Sequence, residues 1–87
     1  MELTAQFEEA IGRVKNISKR PSNEELLKLY GLFKQGSTGD VSGKKPGMFD
    51  IKGQAKYKSW EKFKGTSQDE AKQQYIDLVN DIVSRYS

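Results

Sequence analysis

One short helical segment constrains this chain more than anything else in it. Ser22 followed three residues later by Glu25 is a capping-box signature, so a helix starts here. Its apolar residues, Leu26, Leu27, Leu29, Tyr30, Leu32 and Phe33, cover roughly 220° of a 3.6-residue wheel. A single neighbour cannot cover an arc that wide. Either helices flank this one on two sides, or something other than the chain's own helices covers part of it.

Three further segments carry helical periodicity. Leu3, Phe7, Ala10, Ile11, Val14 and Ile17 recur at spacings of three and four, opposite Glu8, Glu9, Arg13 and Asn16, and Pro21 closes that segment. Asp50 is an N-cap for a third helix over Ile51 to Lys64, where Lys52, Lys56, Trp60 and Lys64 repeat every four residues beside Ala55 and Phe63. Gly65 stops it. Ser67 with Glu70 forms a second capping box, and Ala71, Tyr75, Leu78, Val79, Ile82, Val83 and Tyr86 form the stripe of a fourth helix, with Arg85 suited to its C-terminal dipole. Gly36 to Gly47 holds four glycines and a proline without periodicity, which reads as a loop. No segment alternates like a strand. The expected fold is all-α: a four-helix bundle with a long connection between the second and third helices, forming one domain over residues 1–87.

Composition narrows the chemistry. The chain has no cysteine and no histidine, which removes disulfides, thiol catalysis, and the commonest general base and metal ligand. The acidic pairs Glu8–Glu9, Glu24–Glu25 and Asp69–Glu70 are adjacent in sequence, and adjacent residues do not face one another on a helix. GSTGD at 36–40 lacks the spacing and terminal Lys-Ser/Thr of a phosphate-binding loop. The expectation is a protein with no enzyme activity, metal or cofactor. MELTAQFEEA has no basic leader or signal-length apolar run, and no segment approaches the ~20 apolar residues of a membrane span. A cytoplasmic monomer is expected.

Charge is unevenly placed. The formal net charge is +3, yet Lys44 to Lys64 alone holds seven lysines against Asp50 and Glu61. Such a run can be a solvated face, or it can attract anions. Tyr30 and Lys34, four apart, converge on one side of the second helix, as Lys52 and Lys56 do on the third. Packed together, these groups could surround a phosphate with charge-assisted hydrogen bonds. Phe33 beside Lys34 offers a ring next to a charge, although a Phe in such a stripe also serves as core. Tyr75 sits mid-stripe, where its hydroxyl needs a partner, either a backbone carbonyl or a polar atom of a ligand.

The segments LLKLYGLFKQGSTGD, KPGMFDIKGQAKYKSW and KGTSQDEAKQQYIDLV resemble the acyl-CoA-binding proteins, in order and in spacing, over nearly the whole chain. The resemblance implies a small helical bundle that binds and transports medium- to long-chain fatty acyl-CoA without catalysis, with possible transient contact with acyl-CoA-using enzymes or membranes. Carried over by position, Tyr30, Lys34 and Lys56 would hold the ribose 3′-phosphate, and Phe33 would pack on the adenine. Lys15 and Lys52 would add head-group contacts, and Tyr75 would lie near the head group and thioester. Gly31 and Leu32 fall within the same binding segment. The chain departs from the usual pattern at Phe33 (often Tyr), Tyr57 (usually Trp), Gln54 (frequently Lys) and Gly36–Ser37 (usually Ala-Thr), the last implying a looser end to the second helix. Two rivals remain: a small basic nucleic-acid-binding helical protein using the Lys44–Lys64 run, and an adaptor exposing the second helix to a protein partner.

Overall fold

Local signals in the sequence set the helix starts. In a computed structural model describing residues 2–86, the helices are α1 (Leu3–Lys15), α2 (Asn23–Ser37), α3 (Ile51–Glu61) and α4 (Gln68–Tyr86), and no strand forms among the described residues. The capping box closes as expected: Glu25 N–H donates to Ser22 Oγ at 3.2 Å, and Ser22 N–H donates to Glu25 Oε1 at 3.1 Å. Asp50 Oδ1 accepts from Gly53 N–H at 3.0 Å, and Ser67 Oγ accepts from Glu70 N–H at 3.1 Å.

The helix ends differ from the sequence expectation, for reasons that lie in packing. α2 continues through Gly36 and Ser37, so the connection is 38–50 and the looser end is not seen. Gly36 is buried where α2 meets its neighbours; a Cβ there would lie 3.1 Å from Lys72 Cγ and 3.3 Å from Phe7 Cζ. Gly39, with φ +99°, then takes the left-handed turn that ends the helix. α3 stops at Glu61 rather than Lys64, because its last turns tighten: Phe63 N–H donates to Trp60 O and Lys64 N–H to Glu61 O, each at 3.1 Å. α1 stops at Lys15, while Ile17 of its stripe packs on the core from beyond the helix.

α4 is the central element. Ala71, Tyr75, Ile76, Val79 and Ile82 bury one face against Phe7 and Ala10 of α1 and against Leu29 and Leu32 of α2. Paired contacts give the directions. Thr4 meets Lys72 and Arg13 meets Asn80, so α1 and α4 run in the same sense. Glu25 meets Arg85 and Tyr86 while Gly36 meets Lys72, so α2 runs against α4. Tyr30 lies beside Lys56 and Lys34 beside Trp60, so α2 and α3 run parallel, and 38–50 carries the chain back between them. Packing on both α3 and α4 accounts for much of the wide apolar arc of α2, but α1 and α2 do not pack backbone to backbone. The Cα extents of 37 × 28 × 15 Å describe a body about two helices deep, which leaves part of α2 uncovered.

Two polar clasps fix the ends. Buried Gln35 donates from Nε2 to Asp40 Oδ1 at 2.8 Å and to Thr66 O at 2.6 Å, and Asp40 also accepts from Gly65 N–H at 2.8 Å. These bonds, the one from Gly65 first, hold the Asp40 carboxyl below its usual range. At the other end, Glu25 accepts from Tyr86 Oη at 2.7 Å and from Arg85, which also grips Asp81 at 2.8 Å. Arg85 therefore ties α4 to the start of α2 as well as lying near its own helix C-terminus.

The hydrogen bond from Tyr86, followed by that from Arg85, lowers the Glu25 pKa from 4.5 to about 2. A depressed folded value contributes stability above the unfolded pKa that is lost as pH falls through the folded one. The thermal stability advantage over Glu25→Gln should therefore be full above about pH 4.5 and shrink towards pH 2. Melting curves that stay parallel across that window would show that the clasp does not titrate.

Candidate functional site

The uncovered arc of α2 borders two grooves. An inner groove of about 380 Å³ has Ile11, Val14 and Lys15 of α1 on one side and Leu26, Leu29, Tyr30 and Phe33 of α2 on the other, with Tyr75 of α4 and Pro21 completing it. It exists because α1 and α2 both pack on α4 without closing on each other. An outer groove of about 460 Å³ runs between α2 and the start of α3, lined by Leu26, Leu27, Tyr30, Ile51, Lys52, Ala55 and Lys56, with Arg20 and Asn23 at its end. Leu26 and Tyr30 belong to both, so the grooves meet along one ridge of α2.

Basic groups collect at that ridge. Lys56 Nζ stands over the Tyr30 ring, 5.5 Å from its centroid, and Lys34 Nζ stands 4.7 Å from the Trp60 centroid. Both contacts follow from the parallel register of α2 and α3, which aligns two i,i+4 pairs. Trp60 is itself fixed, 8% exposed, with Nε1–H donating to Gly39 O at 2.7 Å. The ammonium groups rest on aromatic faces rather than in ion pairs, so they remain available to an anion.

The inner groove is aromatic. Phe33 stacks on Phe7, with centroids 6.1 Å apart and planes at 24°, and keeps part of its surface on the groove. Tyr75 meets Phe7 edge-on at 5.1 Å and 75°. Its residue is 4% exposed, and burial pushes its phenol up to about 12. Among the described residues nothing hydrogen-bonds that hydroxyl, including the backbone carbonyl that the sequence left as one option. The groove remains as the direction from which a partner can come.

Of the nine residues singled out in the sequence, Lys15, Tyr30, Phe33 and Tyr75 line the inner groove, and Tyr30, Lys52 and Lys56 line the outer one. Lys34 lines neither groove; it lies one turn beyond Tyr30 on α2, over Trp60. Gly31 and Leu32 line neither groove. Leu32 is wholly buried, and a Cβ on Gly31 would overlap the Ser59 carbonyl oxygen and lie 2.8 Å from Phe63 Cε2, so Gly31 sets how closely α3 approaches α2. Tyr57 faces a different hollow with Lys45, Pro46 and Gln54. The sequence reading missed Pro21, seen there only as a helix terminator, and Arg20, which has no periodic partner. Ile51 could have been found at the apolar start of α3, while Leu27 already belonged to the arc of α2 that the sequence left for something other than the chain's helices to cover.

Among the described residues no cluster of acidic, Cys or His side chains could hold a metal ion, and no helix is long and apolar enough to cross a membrane. What the site offers is an aromatic slot, an apolar trough and lysines between them: features for a ligand with a ring, an anionic group and an aliphatic chain.

Comparison with known proteins gives the same combination a lineage. The family model described as "Acyl CoA binding protein" matches residues 4–79. An acyl-CoA-binding protein homolog of Caenorhabditis elegans is 48% identical over 97% of this chain and 98% of its own. The acyl-CoA-binding protein of Saccharomyces cerevisiae is 43% identical over 93% of each. The crystal structure of Oryza sativa acyl-CoA-binding protein 2 superposes with a TM-score of 0.92 at 36% identity, covering 97% of this chain and 93% of that one. The chain belongs to the acyl-CoA-binding protein family.

Proposed function

We propose that the protein binds medium- to long-chain fatty acyl-CoA esters and carries them without catalysing a reaction, the chain 1–87 acting as one binding domain. The observation that carries this reading is the meeting of an aromatic groove and an apolar groove at Tyr30, with Lys56 over that ring and Lys34 one turn further along α2 on Trp60. The adenine enters the inner groove against Phe33, with Lys15 at its rim. Tyr30, Lys34 and Lys56 hold the 3′-phosphate. The acyl chain lies in the outer groove over Leu26, Leu27 and Ala55, with Lys52 on its edge, and Tyr75 offers its hydroxyl to a polar atom of the head group or thioester. Gly31 and Leu32 serve indirectly, by setting the distance between the helices that carry these groups. No cofactor is needed, and the protein acts as a cytoplasmic monomer exchanging its cargo with acyl-CoA-using enzymes or membranes.

The magnitudes are adequate. A methylene taken from water stabilises by ~0.8 kcal/mol, so about twelve give roughly 10 kcal/mol before ordering costs. A nanomolar complex needs about −12 kcal/mol in all. Burial of Trp60 argues against nucleic acid, because that indole is not free to stack on a base.

In a calorimetric series of saturated acyl-CoAs, each two-carbon extension should tighten binding by roughly 15-fold until the groove is full. Salt should weaken the binding far less than the steep dependence of a nucleic-acid complex. Affinity independent of chain length would place the acyl chain in solvent and contradict the proposal.

A further inference from the structure

Beside the outer groove, the turn entering α3 carries an unusual surface. Met48, Phe49 and Ile51 are 81%, 93% and 78% exposed, the largest exposures among the big apolar residues of the described chain. Lys44, Lys45 and Lys52 flank them and are likewise exposed. The single acid among them, Asp50, is turned to the start of α3, where it accepts the Gly53 N–H. Ile51 and Lys52 also line the outer groove, so this tip adjoins the groove's edge.

We propose that this tip is a docking element for an anionic lipid bilayer. A projecting apolar tip ringed by lysines fits a bilayer interface, where Phe and Met enter the acyl boundary and lysine stems lie along it with their ammonium groups at anionic head groups. A protein partner would instead need a cavity matched to three projecting side chains. Docking here brings the outer groove to the membrane surface, so an acyl chain can pass between bilayer and groove with little exposure to water. Only that last consequence rests on the acyl-CoA reading; docking itself does not.

The test uses the full chain without acyl-CoA, sedimented with vesicles of phosphatidylcholine alone or mixed with phosphatidylserine. Partitioning should be measurable on the mixed vesicles and much weaker on the neutral ones. Met48→Ser with Phe49→Ser should lower it at least about tenfold. Lys44→Gln with Lys45→Gln should lower it roughly 30-fold at low salt. Both pairs lie outside the proposed ligand contacts, so palmitoyl-CoA affinity in solution should stay unchanged, which separates failure of docking from failure of the binding reading. Phe49→Trp adds a reporter whose emission should shift to the blue on anionic vesicles. No partitioning, equal binding to neutral vesicles, full binding by the Met48/Phe49 variant, or an unshifted Trp would each overturn the proposal.

Discussion

Replacing Lys34 and Lys56 together with alanine should weaken palmitoyl-CoA binding by at least about 100-fold, because each removes a charge-assisted hydrogen bond of ~1.5–3 kcal/mol. Each single variant should lose roughly ten- to 100-fold. Lys72→Ala is the matched control: it removes the same charge from α4, where Lys72 Nζ is engaged with Thr4 Oγ1 at 3.2 Å, away from both grooves. The two site lysines stand over Tyr30 and Trp60, so their loss also forfeits cation–π contacts of about 0.5–1 kcal/mol each. Stability should therefore fall slightly while affinity falls greatly. Equal losses for Lys34→Ala, Lys56→Ala and Lys72→Ala would mean that the phosphate lies elsewhere.

Gly31→Ala should have a large structural effect, because its methyl group meets backbone of the neighbouring helix. The new Cβ would overlap the Ser59 carbonyl and press on the Phe63 ring, and the Ser59 backbone gives little room to yield. Forcing an extra carbon into such a contact costs about 1–3 kcal/mol, sometimes more. For a domain of this size that lowers the melting temperature by roughly 5–20 °C. The same displacement moves Lys56 from Tyr30 and Lys34 from Trp60, so acyl-CoA affinity should fall in protein that remains folded. Gly12→Ala, where the methyl meets nothing within 4 Å, is the control and should leave both unchanged or raise stability slightly. A Gly31→Ala protein with unaltered melting and affinity would show that α2 and α3 are not held at this separation.

These two experiments probe features of unequal visibility in the sequence. Tyr30 with Lys34, and Lys52 with Lys56, are legible because helical spacing alone puts each pair on one side of its helix. Ser22, Asp50 and Ser67 mark helix starts for an equally local reason, since each side chain caps a backbone N–H within three residues. The ends at Ser37 and Glu61 were not legible: one depends on what Gly36 packs against, the other on turns tightened beyond Glu61. Nor does spacing reveal that α2 and α3 run parallel, which is what sets residue 30 beside 56 and 34 beside 60. Gly31 shows the limit most clearly. Its place in the binding segment follows from resemblance, but its contact with Ser59 emerges only when the third helix is in place.

The claim that one ligand spans both grooves, phosphate at the junction and chain in the trough, is tested most directly by titrating palmitoyl-CoA, 3′-dephospho-palmitoyl-CoA and palmitate into the same protein. The predicted order is palmitoyl-CoA tightest, the dephospho compound weaker by at least about 100-fold for the lost phosphate contacts, and palmitate weakest by far. Equal affinity for all three would contradict the account.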